Sequence, residues 1–190
     1  MAFQPDKHRR RTIRLRGYDY SRAGAYFVTI CTQNRLCLFG VAEEGRMRLN
    51  DAGRMIGRWY AALEQKFPDM HCGAFVCMPD HVHFIVTIVG ADPCVCPDVT
   101  PITGDGTKSG EHAGSPLHRI VQWFKTMTTN AYINGVKQNQ WQPFPGTLWQ
   151  RNYYERIIRD ESELHTLQQY IADNPAGWDN DPNHPQRIHD

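Results

Sequence analysis

The chain contains no apolar run approaching the length of a membrane span, so nothing in it reads as a transmembrane helix. Its first residues are polar and basic, with no apolar stretch behind them. The expectation is therefore a protein made without a secretion signal and working in the cytoplasm. There is no Cys-x-x-Cys pair, which leaves a structural zinc site weakly supported. Of Cys31, Cys37, Cys72, Cys77, Cys94 and Cys96, those at 31, 72 and 77 lie in or beside apolar segments and read as small, reduced core residues. His-Glu-x-x-His is missing, which excludes a zincin. So is His-x-Glu with Pro-Cys-x-x-Cys, which excludes a zinc deaminase. No internal repeat is visible. Charge of one sign is also lacking: the net value is +1, and bulk charge names no partner.

What is present is the composition of a globular protein, 41% hydrophobic and 22% charged over 190 residues, enough for one domain with a real core. The charge is unevenly placed. Residues 1–17 form a basic arm, with Lys7, Arg9, Arg10, Arg11, Arg14 and Arg16 against Asp6 alone. A tail over 179–190 carries Asp179, Asp181 and Asp190 against Arg187. Such an arm suits nucleic acid or an anionic surface, and equally a solvated terminus.

Between arm and tail, periodicity predicts an alternating series. Residues 25–32 are β-branched and aromatic and read as a strand, followed by short strands over 36–39 and 46–49. Asn50 caps a helix whose apolar face is Ala52, Met55, Ile56, Trp59, Tyr60, Leu63 and Phe67, and Pro68 ends it. Strands over 72–78 and 81–88 follow, joined by Pro79 and Asp80 as a hairpin. Residues 89–114 are Gly, Pro, Asp, Ser and Thr with little apolar content, and read as a flexible loop or insertion. Ser115 and Pro116 open a second helix, with Gly135 as its stop. Residues 147–158 read as a strand. Asp160 and Glu163 open a third helix as a capping-box variant, with Leu164, Leu167 and Ile171 inside and Pro175 at its end. The predicted fold is α/β (α+β): a ferredoxin-like split βαβ sandwich, an antiparallel sheet with helices on one face.

Within the strand over 81–88, His81 and His83 are separated by one residue. A strand has a side-chain period of two, so both imidazoles leave the same face, and two neutral imidazoles side by side make half of a divalent-metal site. On the third helix Tyr170 and Asn174 share a face, at the edge of its apolar stripe. Taken singly, each has an ordinary structural account: a buried histidine pair, an amphipathic tyrosine, an asparagine cap before proline.

Together with their surroundings they carry a resemblance. The matching segments are Tyr-Asp-Tyr-Ser at 18–21, Tyr-Phe-Val-Thr-Ile-Cys-Thr at 26–32 and Met-Pro-Asp-His-Val-His at 78–83. They continue with Trp-Gln-Arg-Asn-Tyr-Tyr-Glu at 149–155, Ile-Ile-Arg-Asp at 157–160 and Tyr-Ile-Ala-Asp-Asn-Pro at 170–175. In this order, spanning nearly the whole chain, they resemble the REP-associated tyrosine transposases, single-tyrosine HUH transposases of the insertion-sequence 200-like group. Asp80 stands where that family usually has Asn or Glu. The resemblance implies one transposase domain over 18–178 and a divalent metal, Mg²⁺ or Mn²⁺, on His81, His83 and Asn174. It implies Tyr170 as the nucleophile that nicks single-stranded DNA at hairpin elements and rejoins it through a 5′-phosphotyrosine. It further implies a nucleoid-associated place in the cytoplasm, with no membrane partner. Either a homodimer or a monomer could assemble the site.

Tyr153 and Tyr154 are rival nucleophiles, but neither has a ligand candidate at helical spacing. Arg14, Arg16, Lys125, Arg151, Arg156 and Arg159 are candidates for phosphate contacts, and Trp149 either stacks on a base or is buried. The alternative activity is a hairpin-DNA-binding protein of the same fold without strand transfer.

Overall fold

A computed structural model describes residues 23–89 and 115–181. The expected arm with Arg14 and Arg16, the segment at 18–21, the expected loop save its first residue, and the tail beyond 181 lie outside the described residues. Among the described residues the elements run β1 (Gly24–Cys31), β2 (Gly40–Glu43), β3 (Arg46–Leu49), α1 (Asp51–Lys66), β4 (Met70–Cys77) and β5 (His81–Ile88). They continue with α2 (Pro116–Asn139), β6 (Tyr154–Ile158) and α3 (Glu161–Gly177). The main sheet has the order β4-β5-β1-β6 with every neighbouring pair antiparallel, while β2 and β3 form a separate hairpin. This is the expected split βαβ sandwich, in which β1 and β4 flank β5 and a helix makes each crossover.

The faces of the sheet differ from the expectation in one respect. Tyr26, Val28 and Ile30 of β1 and Val82, Phe84, Val86 and Ile88 of β5 point to one side, where α1 and α2 cover them. Phe27 and Ile85 point to the other, where they meet Ile158, Leu167 and Ile171. Helices α1 and α2 thus share one face as expected, and α3 packs on the opposite one. The physical reason lies in β5, which is apolar at successive positions rather than alternate ones and needs cover on both sides.

Capping sets the helix starts. Asn50 Oδ1 accepts from Gly53 N–H at 2.9 Å and Asp160 Oδ1 from Glu163 N–H at 2.8 Å. Glu163 reaches back to the N–H of Arg159 at 2.9 Å, the reciprocal half of a capping box displaced by one residue. Two helix ends lie beyond their expected stops. Gly135 does not end α2: the Trp141 ring packs directly on it, a Cβ there would lie 2.1 Å from a ring carbon, and the helix runs on to a left-handed Gln140. Pro175 sits inside the last turn of α3. Beyond it the buried Trp178 N–H reaches the Pro175 carbonyl and holds the chain.

Two expected strands are also corrected. Residues 36–39 are not a strand, because Leu38 and Phe39 donate their N–H groups to the Pro79 carbonyl, at 2.8 and 3.1 Å, and bury their side chains. Among the described residues, 147–153 make only one isolated bridge, Thr32 to Trp149. Lys125 Nζ takes the carbonyls of Gln150 (2.6 Å) and Arg151 (3.1 Å) away from any ladder, so β6 begins at Tyr154. No helix among the described residues is long and apolar enough to cross a membrane.

Candidate active site

The register Thr29 to His83 and Cys31 to His81 sets the end of β1 beside the start of β5. Thr29, Cys31, His81 and His83 therefore leave the same face of the sheet, the face that α3 covers. Helix α3 is anchored there by Leu167 and Ile171. One turn of phase away, Tyr170 stands at the rim of that anchor, half-exposed at 49%. Its ring meets His83 edge-on at 5.3 Å and Phe27 at 6.0 Å, and the two imidazoles lie 4.5 Å apart. The result is a cleft of about 400 Å³ lined by Thr29, Cys31, Arg35, His81, His83, Gln150, Tyr170 and Asp181. The structure thus brings three of the four expected site residues to one cleft. Asn174 lies one turn along α3 from Tyr170, at the i+4 position of the same helix.

Each imidazole is held from behind. His81 Nδ1 lies 2.6 Å from Asp80 Oδ1, and since a carboxylate can only accept, Nδ1 carries the proton. His83 Nδ1 lies 2.7 Å from the Thr29 hydroxyl, and its ring stacks on Phe27 at 5.3 Å. With both Nδ1 atoms engaged, Nε2 is the atom each ring has for a ligand in the cleft, the arrangement metal-binding histidines usually show. Burial, reinforced by the neighbouring His81 and by Arg35, pushes the His83 imidazole down to about 2, so it is neutral at ordinary pH and its lone pair is available. Among the described residues no three His, Cys, Asp or Glu side chains converge at ligand spacing. A cation here would draw on the imidazole pair and on the amide of Asn174, with oxygen ligands from solvent or substrate.

The Tyr170 phenol is pushed above its ordinary value by burial and by Asp181. The Asn174 side chain and the Arg35 charge act in the opposite sense. A phenol held this way stays protonated at ordinary pH, with Asn174 and Arg35 placed to favour its oxyanion.

The remaining candidates fall elsewhere. Tyr153 is half-buried and stacks on His118 at 6.4 Å. Tyr154 faces the α3 side, since it pairs with Thr29. It lies two strands from His83, roughly 10 Å by strand spacing, and does not line the cleft. Lys125 donates to main-chain carbonyls, burial lowers its pKa, and with Arg151 it borders a second cleft of about 490 Å³ along α2. Arg156 pairs with Glu163 at 2.5 Å, and Arg159 is exposed. Trp149 is buried, and its indole N–H donates to Thr128 Oγ1 at 2.9 Å.

Sequence reasoning missed Arg35, Thr29, Gln150 and Asp181 as cleft residues. Thr29 could have been found, because it shares the parity of Phe27 on a predicted strand. Arg35 could not: it enters through a short turn over Gln33–Arg35 with left-handed backbone at Asn34 and Arg35, which no periodicity announces.

No family model matches the chain. It is 36% identical, over 175 residues and 92% of each chain, to an uncharacterized protein of Haemophilus influenzae. Among solved structures it resembles a REP-associated tyrosine transposase bound to a REP hairpin. The TM-score is 0.53 at 19% identity, covering 87% of this chain and 73% of that one, a likeness of fold.

Proposed function

We propose that this chain, which belongs to one family with the Haemophilus influenzae protein, is a metal-dependent transposase-type enzyme that nicks and rejoins single-stranded DNA at hairpin elements. The observation that carries the reading is the convergence of His81, His83 and Tyr170 on one cleft, with ring centroids 4.5 and 5.3 Å apart. The fold shared with a transposase bound to a REP hairpin supports the substrate class.

In this reading Tyr170 attacks a backbone phosphorus. The bond from its phenolic oxygen to phosphorus forms, and the bond from phosphorus to the 3′-oxygen breaks. The phenolic proton is lost, and the leaving 3′-oxygen takes up a proton to become a free hydroxyl. The 5′ side remains as a phosphotyrosine, which keeps a phosphodiester's energy, so a second strand's 3′-hydroxyl reverses the step without ATP. Asn174, one turn from Tyr170 on the same helix, steadies the phenol's developing charge. Arg35 adds positive charge beside the scissile phosphate. His81 and His83, with Asn174, would hold a divalent cation, Mg²⁺ or Mn²⁺. When bound, that cation polarises a phosphate oxygen and orients the phosphorus for in-line attack. Lys125, Arg151, Arg156 and Arg159 remain candidates for backbone contacts, Lys125 the least available because its ammonium is engaged.

The test is incubation with end-labelled hairpin DNA and Mg²⁺ or Mn²⁺. A covalent adduct that disappears with chelator and in Tyr170→Phe is the expected result. Tight hairpin binding with no cleavage under either metal would instead identify a hairpin-binding protein without strand transfer.

A further inference from the structure

Behind the cleft a chain of charge runs from His81 through Asp80 to Arg35, and its Asp80 link has no part in the reaction just described. Asp80 is completely buried, which is costly for a carboxylate unless a cation and hydrogen bonds compensate it. Its Oδ1 receives the His81 Nδ1 proton at 2.6 Å, and its Oδ2 lies 2.8 Å from Arg35 Nε. Arg35 is itself largely buried, with 15% of its side chain exposed. It donates from Nη1 to Cys31 Sγ at 2.9 Å and approaches Asp181 Oδ2 at 3.6 Å. The backbone is tied down to match. The Thr32 N–H donates to the Asp80 carbonyl at 2.8 Å, and the buried Thr32 hydroxyl lies between the carbonyls of Asp80 (3.0 Å) and Leu36 (2.9 Å). The turn that carries Arg35 and the turn that carries Asp80 are thereby one unit. The two imidazoles are supported unequally: His83 by a neutral hydroxyl from Thr29, His81 by a carboxylate that a guanidinium locks in place.

We propose that Arg35 and Asp80 are positioning residues that set the divalent-cation affinity of the site through His81, an inference that rests on the metal-dependent reading above. Asp80 fixes His81 as the Nδ1–H tautomer, points Nε2 into the cleft and makes that nitrogen a stronger donor. Arg35, 2.8 Å away, holds the Asp80 carboxylate immobile in its buried position. Support of this kind behind a ligand is worth about 10–100-fold in metal affinity. Asp80 thus does more than close the β4–β5 hairpin, and the short turn after β1 exists to deliver one guanidinium.

The experiment titrates Mn²⁺ into the metal-stripped full-length chain, reading free Mn²⁺ by electron paramagnetic resonance. The His81 tautomer is read in parallel by ¹⁵N nuclear magnetic resonance of the metal-free protein, and thermal stability is recorded for every variant. The expected result is an Nδ1–H His81 in the wild-type chain and a 10–100-fold weaker Mn²⁺ affinity in Asp80→Asn and Arg35→Gln, with Tyr154→Phe unchanged. Arg35→Lys and Asp80→Glu, which keep the charges, recover part of that loss and serve if the neutral variants fail to fold. Wild-type Mn²⁺ binding with all four variants within twofold of it, whatever their stability, would make the pair merely a structural tie and overturn this inference alone. A wild-type chain that binds no Mn²⁺ would remove the metal-dependent reading, and this inference with it.

Discussion

The two faces of β5 are built from alternate residues of one strand and serve different ends. Val82, Phe84, Val86 and Ile88 face α1 and α2, where they join the larger apolar core. His81, His83 and Ile85 face α3, where among the described residues the buried apolar set is only Phe27, Ile85, Ile158, Leu167 and Ile171, and where two imidazoles and their carboxylate support take the remaining space. A strand with a period of two lets neighbouring residues be selected for different properties. The α1/α2 face supplies most of the burial that stabilises the sheet, about 1.5–3 kcal/mol per large side chain. The α3 face gives up part of that gain for polar groups held in fixed orientations.

The sharpest way to break this contrast is to truncate adjacent residues. Phe84→Ala should destabilise the protein by about 3–5 kcal/mol in urea denaturation, because a fully buried aromatic leaves a cavity. Adduct formation by the folded fraction should persist. His83→Ala should do the reverse. Its adduct yield should fall by more than the roughly 10–100-fold that disturbing a residue behind a ligand costs, with a far smaller change in the urea midpoint. Equal loss of stability in the two variants would dissolve the distinction between the faces.

A smaller effect separates the helices. Removing either N-cap, Asn50→Ala on α1 or Asp160→Ala on α3, should cost about 1 kcal/mol. For α1, with Ala52, Met55, Ile56, Tyr60 and Leu63 buried, the loss should appear in global stability. For α3, which buries only Leu167 and Ile171, amide hydrogen exchange should speed up within the helix while the sheet stays protected. Smallest of all, Tyr154→Phe, a change at an exposed ring, should stay within about 0.5 kcal/mol of wild type and leave adduct formation intact. Loss of the adduct in that variant would move the nucleophile across the sheet.

Much of this division is written in the sequence, though unevenly. The run from His81 to Ile88 declares a strand, and the spacing of the imidazoles puts them on one face without any structure. The capping residues Asn50, Ser115 and Asp160 mark all three helix starts. What the sequence does not declare is long-range. Nothing local says that α3 crosses to the other side of the sheet, although the absence of polar alternation in β5 hints that both faces need cover. Gly135 reads as a stop until Trp141 is known to press on it. The segment over 147–153 has strand-like composition, but Lys125 captures its carbonyls from another element. Arg35 is the clearest omission, since its role depends on two turns distant in sequence being stitched together by Thr32 and Pro79. Tyr170 and Asn174 were legible as a pair on one helix face. The meeting of Tyr170 with His83 depends on where Leu167 and Ile171 anchor that helix.

The central claim is that the α3 face of the sheet presents Tyr170 to DNA beside the histidine pair. The most direct measurement is mass spectrometric mapping of the residue that carries nucleotide after the chain has reacted with a hairpin oligonucleotide and Mn²⁺, followed by nuclease trimming and proteolysis. The account predicts a 5′-phosphonucleotide on the peptide containing Tyr170. Modification at Tyr153 or Tyr154, with Tyr170 unmodified, would contradict it.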